Sequence, residues 1–335
     1  MKLFRVRMFV VALVVILAAL VSLSVGRYTI SPFDTITILC APIFNTIPTW
    51  THQAQIVVCD VRAPRVLAVL LVGAALGLSG ATYQGIFRNP LVSPDLLGVS
   101  AGACVGAAVA ILLHWSSFGV QVAAFSVGLL TVALATCIPR IFMNNSNLML
   151  VLSGVIMSGF MHALIGLAKY FADPDNELAS IVYWTLGSFA SIKMTDVLPL
   201  LAPILISLVV LICLRWRIDL LSMGDENAAS VGVSVGRLKG IAIICATLAT
   251  AGSVCLCGTI GWVGLVVPHI CRLITGASNR YVLPLSTGIG ALFLLVVDTI
   301  ARNISGSEIP LSILTGLLGA PLFFALLYRQ RGQVW

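Results

Sequence analysis

Residues 62–113 contain two apolar segments of membrane-spanning length, separated by a short polar break. The segment 66–85 is apolar or small throughout, and about 20 such residues cross the hydrocarbon core of a bilayer as a helix. The break 88–95 contains prolines and charged side chains, which neither continue a helix nor lie in lipid. Residues 96–113 are apolar again. The pattern predicts a membrane crossing followed by a return.

The second apolar segment carries three glycines spaced four residues apart, Gly98, Gly102 and Gly106. This spacing places them on one face of a helix, where the absence of side chains lets a neighbouring helix approach to backbone contact. We therefore expect the spans to pack closely against one another.

The composition extends this interpretation to the whole chain. Of its 335 residues 59% are hydrophobic and 9% are charged, and the mean hydropathy is +1.09. Soluble domains are roughly a quarter charged. We expect an all-α integral membrane protein that forms one transmembrane domain over residues 1–335 and contacts the lipid bilayer. Its net charge of +7 is interpreted as a topology signal and not as a nucleic-acid surface.

We predict ten membrane spans, with the first retained and not cleaved as a signal peptide, because it has full span length. The spans are 8–26, 66–86, 96–113, 120–138, 147–168, 197–214, 240–257, 258–271, 283–301 and 310–328. With the amino terminus inside, 13 of the 19 Lys and Arg residues are cytoplasmic, as the positive-inside rule requires. Both termini are then cytoplasmic. Two related halves of five spans each would form an inverted repeat.

Three regions depart from simple crossings. The eighth span opens with glycines at 258, 261 and 264, which predicts a broken or re-entrant start. The apolar patch 181–187 is too short to cross and is predicted to be a helix at the outer interface. The long outer loop 27–62 is expected to contain a short interfacial element. It also holds Cys40 and Cys59, whose pairing the sequence leaves open.

The chemistry that the sequence lacks restricts its function. It has no G-x-x-x-x-G-K-[ST] phosphate loop, no H-E-x-x-H and no C-x-x-C. We therefore predict no catalytic residue, no metal site and no directly bound cofactor. Transport by this chain would need a gradient or an ATP-hydrolysing partner.

Asp298 is the one carboxylate inside a predicted span. It lies near the outer end, four residues before Arg302, so an i,i+4 ion pair explains it without a proton relay. A self-contained ion-coupled secondary transporter is therefore the second hypothesis, and a structural or sensory membrane protein is the third. Candidate pathway residues are Ser153, Gly154 and Ser158, although helix packing explains their small size equally well.

The largest cytoplasmic segment, 215–239, contains a predicted helix outside the membrane. Asp225 and Glu226 open it, small residues follow, and Gly232 ends it. Such a helix is either a plain connector or a docking helix for a cytoplasmic motor.

The chain resembles the permease subunits of binding-protein-dependent ABC importers for ferric siderophores, haem and vitamin B12, the FecCD or BtuC-like family. The similarity covers some 260 residues, and the changes Ala63, Thr259 and Trp262 are the main departures from the family pattern. The motifs, in order, are Arg62-Ala-Pro-Arg65, Arg88-Asn-Pro-Leu91, Leu97-Gly-Val-Ser-Ala-Gly102, Leu221-Ser-Met-Gly-Asp-Glu226, Ala229-Ser-Val-Gly232, Gly261-Trp-Val-Gly-Leu-Val-Val-Pro-His-Ile-Cys-Arg272, Asp298-Thr-Ile-Ala-Arg302, Glu308-Ile-Pro-Leu311 and Gly316-Leu-Leu-Gly-Ala-Pro321.

The resemblance implies a type II importer permease in the cytoplasmic (inner) membrane of a bacterium or archaeon. It would be a non-catalytic subunit that pairs with a second copy or a close paralogue, and a cytoplasmic ABC ATPase dimer would use the ATP. Ferric siderophore is the commonest cargo of the family, while haem, cobalamin and molybdate stay open.

The resemblance also assigns roles to individual residues. The coupling residues towards the ATPase would be Asp225, Glu226, Ala229 and Gly232. An extracytoplasmic solute-binding protein would dock on Arg62, Arg65 and Arg302. Positive charge is disfavoured on the outer side, so three arginines at one mouth call for a reason, and an acidic partner supplies one.

Overall fold

The computed structural model describes residues 2–44, 50–143, 146–304 and 308–329, and within these ranges every regular element is helical. This confirms the all-α prediction. Arg331, which is one of the 13 Lys and Arg residues predicted to be cytoplasmic, lies outside the described residues. The helices are α1 (Lys2–Ser24), α2 (Pro32–Phe44), α3 (His52–Ile56), α4 (Ala63–Phe87), α5 (Val99–Leu112), α6 (Ser117–Ile141), α7 (Asn147–Phe171), α8 (Glu177–Leu186), α9 (Met194–Leu221), α10 (Asp225–Ser230), α11 (Val235–Cys257), α12 (Val263–Thr275), α13 (Asn279–Ala301) and α14 (Leu311–Arg329).

Each of the ten predicted spans falls on a helix. Among the described residues, seven helical stretches are long and apolar enough to cross a membrane, and four shorter apolar helices lie in α2, α5, α12 and α14. The eighth span differs from its prediction at its start, because 258–262 is not helical and α12 begins at Val263. The predicted short helices in the outer loop and in the segment 215–239 are α8 and α10.

Helix α4 forms the centre of the molecule and is buried along nearly its whole length. It packs against α9, α11, α12 and α13. The contact with α12 is the closest, since a Cβ at Gly80 would overlap the carbonyl group of Gly264. Lipid gives helices no hydrophobic reason to associate, so such close backbone packing supplies the attraction.

Helices α5, α6 and α7 form a second packed group. The predicted glycine face is confirmed for Gly102 and Gly106, because Cβ atoms there would overlap Thr131 and the backbone of Ala123 on α6. Gly98 is not part of this helical face, because it precedes α5 and has φ +79°. A 3₁₀ turn, Pro94–Leu97, connects this group to α4, and its Pro94 packs on Gly264.

Side-chain contacts define two opposite ends of the helix bundle. At one end, the Asp219 carboxylate accepts hydrogen bonds from the Asn279 backbone N–H at 2.5 Å and from Ser278 Oγ at 3.0 Å, which joins α9 to α13. Helix α10 lies at this end, directly after α9. The start of α4 and the end of α13 lie at the other end. The predicted coupling and docking residues are therefore separated by the length of the membrane domain.

Candidate functional site

Helix α10 is held in place by a lysine from the next helix. Lys239 Nζ of α11 donates to Asp225 Oδ2 at 2.6 Å and to Asn147 Oδ1, at the start of α7, at 3.0 Å. Asp225 is the first residue of α10, where a carboxylate also interacts favourably with the helix dipole. One ammonium group thus joins α10 to two transmembrane helices.

The predicted coupling residues differ in exposure. Glu226, Ala229 and Gly232 are exposed, whereas Asp225 is half-buried and paired with Lys239. Gly232 has φ +84°, and a Cβ there would meet nothing within 4 Å. The exposed side of α10 is available to a partner, and the coupling role of these residues stays a prediction.

At the opposite end, Arg65 binds two carboxylates at once. Its Nη2 lies 2.8 Å from Asp298 Oδ1, and its Nε lies 3.1 Å from the same oxygen. Its Nη1 and Nη2 also donate to the two oxygens of Glu308 at 2.7 and 2.9 Å. Asp298 is fully buried, whereas the Glu308 side chain is 32% exposed. Bidentate arginine–carboxylate pairs of this kind are strong and geometrically specific.

The predicted pair of Asp298 and Arg302 is present but is the weaker of the two ion pairs. Arg302 Nε lies 3.9 Å from Asp298 Oδ2, and the guanidinium donates to Ser22 Oγ at 2.6 Å and to the Ser22 carbonyl oxygen. Burial lowers the pKa of Arg302, and the charge of Asp298 opposes this effect. The main partner of Asp298 is Arg65, which sequence spacing did not reveal.

Arg62 caps the end of the first helix. Its Nη1 donates to the carbonyl oxygens of Leu23 and Ser24 at 2.7 and 2.9 Å, and its Nη2 donates to that of Tyr28 at 2.5 Å. The last carbonyls of a helix lack partners within it, so a cation placed there satisfies them. Arg62 ends the π-helical segment Val57–Arg62, which joins α3 to α4.

These contacts leave the three arginines predicted to dock a binding protein largely buried. Arg62, Arg65 and Arg302 are only 5%, 6% and 8% exposed. They line a cleft of about 500 Å³ together with the exposed Arg27 and Glu308. Four arginines face two carboxylates here, Asp298 included, so the cleft keeps a net positive charge. Their docking role stays a prediction.

The candidate pathway residues on α7 contact their own chain. Ser153 Oγ donates to the Met149 carbonyl oxygen at 2.7 Å, and a Cβ at Gly154 would overlap the carbonyl oxygen of Leu96. Ser158 lies against Gly98. Helix packing accounts for these contacts, and the pathway role is untested.

The remaining observations concern the two cysteines of the loop 27–62 and a partly buried glutamine–arginine pair. Cys40 and Cys59 are both unpaired thiols. Gln84 Oε1 accepts from Arg272 Nη1 at 2.5 Å, and Gln84 Nε2 donates to the Val92 carbonyl oxygen at 3.1 Å. Sequence reasoning missed the Gln84–Arg272 and Arg65–Glu308 pairs because their members lie 188 and 243 residues apart. It missed Lys239, 14 residues from Asp225, because a contact between two separate helices is not visible in one sequence.

Comparisons with known proteins agree with this arrangement. The family model of the FecCD transport family matches residues 13–329. The molybdate import system permease protein MolB of Haemophilus influenzae is 40% identical over 324 residues, covering 97% of this chain and 96% of that protein. A "probable iron chelatin transport system permease protein" of Helicobacter pylori is 42% identical over 278 residues, covering 83% and 84%.

A solved structure described as an inward-facing conformation of a metal-chelate type ABC transporter superposes with a TM-score of 0.86 at 39% identity. It covers 96% of this chain and 98% of the matched chain. Sequence and fold thus agree over almost the entire length. The chain belongs to the FecCD transport family of ABC importer permeases.

Proposed function

We propose that this chain is the transmembrane subunit of an importer that carries a ferric-siderophore-type iron chelate into the cytoplasm, driven by an ATPase dimer. The observation that carries the proposal is the separation of two surfaces at opposite ends of one helix bundle. An exposed helix, α10, lies at one end and a net cationic cleft at the other. The sequence has no phosphate loop of its own, so the energy source is a partner that binds α10.

The cleft supports docking of an acidic binding protein by exchange of carboxylates. Glu308 is the exposed member of the Arg65 cluster, whereas Asp298 is completely buried. A carboxylate from a binding protein would therefore reach Arg65 by replacing Glu308. Glu308 lies three residues before α14, so this exchange would release the start of that helix. Docking would thus change the outer end of the permease.

The exposed face of α7 supports pairing with a second permease copy. Gly159 and Gly166 lie on this helix, and a Cβ at either position would meet nothing within 4 Å. Exposed small residues in membrane helices favour contact with another helix over contact with lipid. The same face exposes Val155, Ile156 and Phe160. A transport pathway between two copies would then run along α7.

The docking role is tested with Arg27→Glu, because Arg27 is exposed and lines the cleft. A rim charge contributes ~0–1 kcal/mol, and reversing its sign adds repulsion. Binding-protein stimulation of ATP hydrolysis should therefore require several-fold more binding protein, with basal hydrolysis unchanged. The matched control is Arg217→Glu, which reverses an exposed charge at the opposite end. If the binding protein stimulates ATP hydrolysis equally in both variants at low salt, the cleft is not the docking surface.

Molybdate is the second substrate candidate, because the molybdate permease is similar over 97% of this chain. The discriminating experiment reconstitutes the permease with its ATPase and binding protein and compares uptake of a radiolabelled ferric siderophore with that of radiolabelled molybdate. We expect iron uptake that excess molybdate does not inhibit. Molybdate uptake without iron uptake would show that the substrate is molybdate and would leave the assignment as a permease unchanged.

The secondary-transporter hypothesis makes a different prediction for the same vesicles. We expect uptake to require ATP and the ATPase and to persist when the proton gradient is collapsed. Uptake by the permease alone, driven by a proton or sodium gradient, would contradict the proposed function.

A further inference from the structure

A groove between α6, the start of α7 and α11 lies apart from the cleft and from the exposed side of α10. Its volume is about 480 Å³. The lining is apolar along the transmembrane helices, with Leu129 and Val132 from α6 and Ile243, Ile244 and Leu248 from α11. Polar side chains are concentrated at one end, where Arg140, Asn147 and Lys239 meet.

The groove is open because two of its lining residues are glycines without side chains. Gly236 and Gly240 lie one turn apart on α11, and a Cβ at either position would meet nothing within 4 Å. Elsewhere in this chain, glycines such as Gly80 bring two backbones together. At Gly236 and Gly240 the space stays open, so no helix of the described chain fills it.

The length of the groove matches one leaflet of a bilayer. Its lining runs from Arg140 to Leu129 on α6 and from Gly236 to Leu248 on α11. At 1.5 Å per residue these stretches measure about 16–18 Å. Half of the hydrocarbon core is about 15 Å. An acyl chain that enters from the end with the polar side chains would therefore extend to the middle of the membrane.

The mouth of the groove has hydrogen-bond donors that suit a phosphate. An ammonium group has three N–H donors. Lys239 uses two of them, for Asn147 Oδ1 and Asp225 Oδ2, which leaves a third. Arg140 is exposed beside it, one residue before the end of α6. Arg140 and Lys239 together outweigh the single carboxylate of Asp225.

We propose that this groove binds one anionic phospholipid of the leaflet that faces α10, with its phosphate at Arg140 and Lys239 and an acyl chain along Gly236 and Gly240. Basic pockets between transmembrane helices on the cytoplasmic side bind acidic lipid head groups in this way. Because Lys239 also bonds Asp225, the lipid head group and α10 share one ammonium group. Lipid binding in this groove does not depend on the proposed transport function, so an experiment can refute either one without the other.

The test is native mass spectrometry of the purified full-length permease with phosphatidylglycerol or phosphatidylcholine carrying identical acyl chains. We expect phosphatidylglycerol to be retained about fivefold better, since one basic residue near an anionic head group is worth roughly that factor. Arg140→Gln should remove most of this preference. Arg217→Gln removes an exposed basic residue at the same end but outside the groove and should keep the preference.

A second variant tests the acyl-chain part of the groove. Gly240→Leu places a side chain where a Cβ has open space and should lower retention of both lipids, whereas Ile241→Phe adds bulk on a neighbouring exposed position and should not. Equal retention of the two lipids by the unaltered protein would overturn the proposal, as would equal effects of Arg140→Gln and Arg217→Gln. Cross-linking of two permease chains through Thr136→Cys would identify a second copy in the groove and would also overturn it.

Discussion

Replacing Asp298 by asparagine isolates the buried half of the Arg65 ion pair. The substitution keeps the shape of the side chain and removes a fully buried negative charge that accepts three hydrogen bonds from Arg65. Breaking a buried ion pair costs about 3–5 kcal/mol when the remaining charge has no other partner. Arg65 still forms its ion pair with Glu308 in this variant, so we expect a smaller loss of unfolding free energy, about 2–3 kcal/mol.

The comparison variant is Glu308→Gln, which removes the exposed partner of the same arginine. Water screens this pair, so its loss should cost ~0–1 kcal/mol. Asp60→Asn makes the same chemical change as Asp298→Asn at an exposed carboxylate near the same end, and it should cost nothing measurable. The order of stability loss is therefore Asp298→Asn, then Glu308→Gln, then Asp60→Asn.

The assay is thermal unfolding of the purified permease variants in one detergent, followed by tryptophan fluorescence. At about 2 °C per kcal/mol for a large domain, Asp298→Asn should lower the Tm by ~4–6 °C. A Tm for Asp298→Asn equal to that of Asp60→Asn would refute the reasoning, because the buried pair would then contribute nothing to stability. A larger shift for Glu308→Gln would mean that Glu308 is the main partner of Arg65.

Three further predictions follow from the packing and the topology. Gly80→Ala should lower unfolding free energy by about 1–3 kcal/mol through overpacking against α12, whereas Gly261→Ala, at a position where a Cβ would meet nothing within 4 Å, should leave the Tm unchanged. Gly232→Trp should uncouple ATP hydrolysis from uptake while the protein stays folded. The control Gly232→Ala has the same strain from the positive φ but lacks the bulk of the ring. Normal uptake by the tryptophan variant would show that this segment does not couple hydrolysis to uptake. In a cysteine-free variant of intact cells, Met143→Cys should resist an impermeant thiol reagent and Asp175→Cys should react, and the reverse labelling would invert the topology.

The transmembrane helices could be predicted from the sequence because lipid imposes a simple rule on them. An exposed backbone polar group has no partner in hydrocarbon, so each apolar run of sufficient length forms a helix. Helix α10 was also predictable, since its acidic start and its terminal glycine are local signals. In these cases the information lies within one short stretch of sequence.

The start of α4 was placed too late for the opposite reason. Residues 52–62 are polar enough to predict a loop, yet they form α3 and the π-helical segment that continues into α4. Contacts with the first helix support this segment, above all the bonds from Arg62 to the carbonyls of Leu23 and Ser24. Tertiary contact here overrides the local preference of the sequence.

The candidate site was predicted only in part. Helical spacing correctly paired Asp298 with Arg302, because an i,i+4 relation is visible in one sequence. The stronger partner, Arg65, lies 233 residues away, and no periodicity connects positions so distant. The hydrogen-bond partners of Arg62 lie 34–39 residues away and that of Arg302 lies 280 residues away, so local sequence did not indicate that these arginines are buried.

The separation of Arg65 and Asp298 has a consequence for biosynthesis. A ribosome adds about 5–20 residues per second. The 233 residues between the two positions therefore take roughly 10–50 s to synthesise at that speed. During this interval α4 is already made, but the carboxylate that neutralises its arginine does not yet exist.

Arg62 has no such delay, because its acceptors at Leu23, Ser24 and Tyr28 precede it in the chain. The nascent chain thus contains one arginine that is satisfied immediately and another, three residues later, that waits until α13 emerges. A charge without a partner is held at the membrane surface and not in the hydrocarbon core. We therefore expect the end of α4 that carries Arg65 to reach its final depth only late in translation, when α13 delivers Asp298.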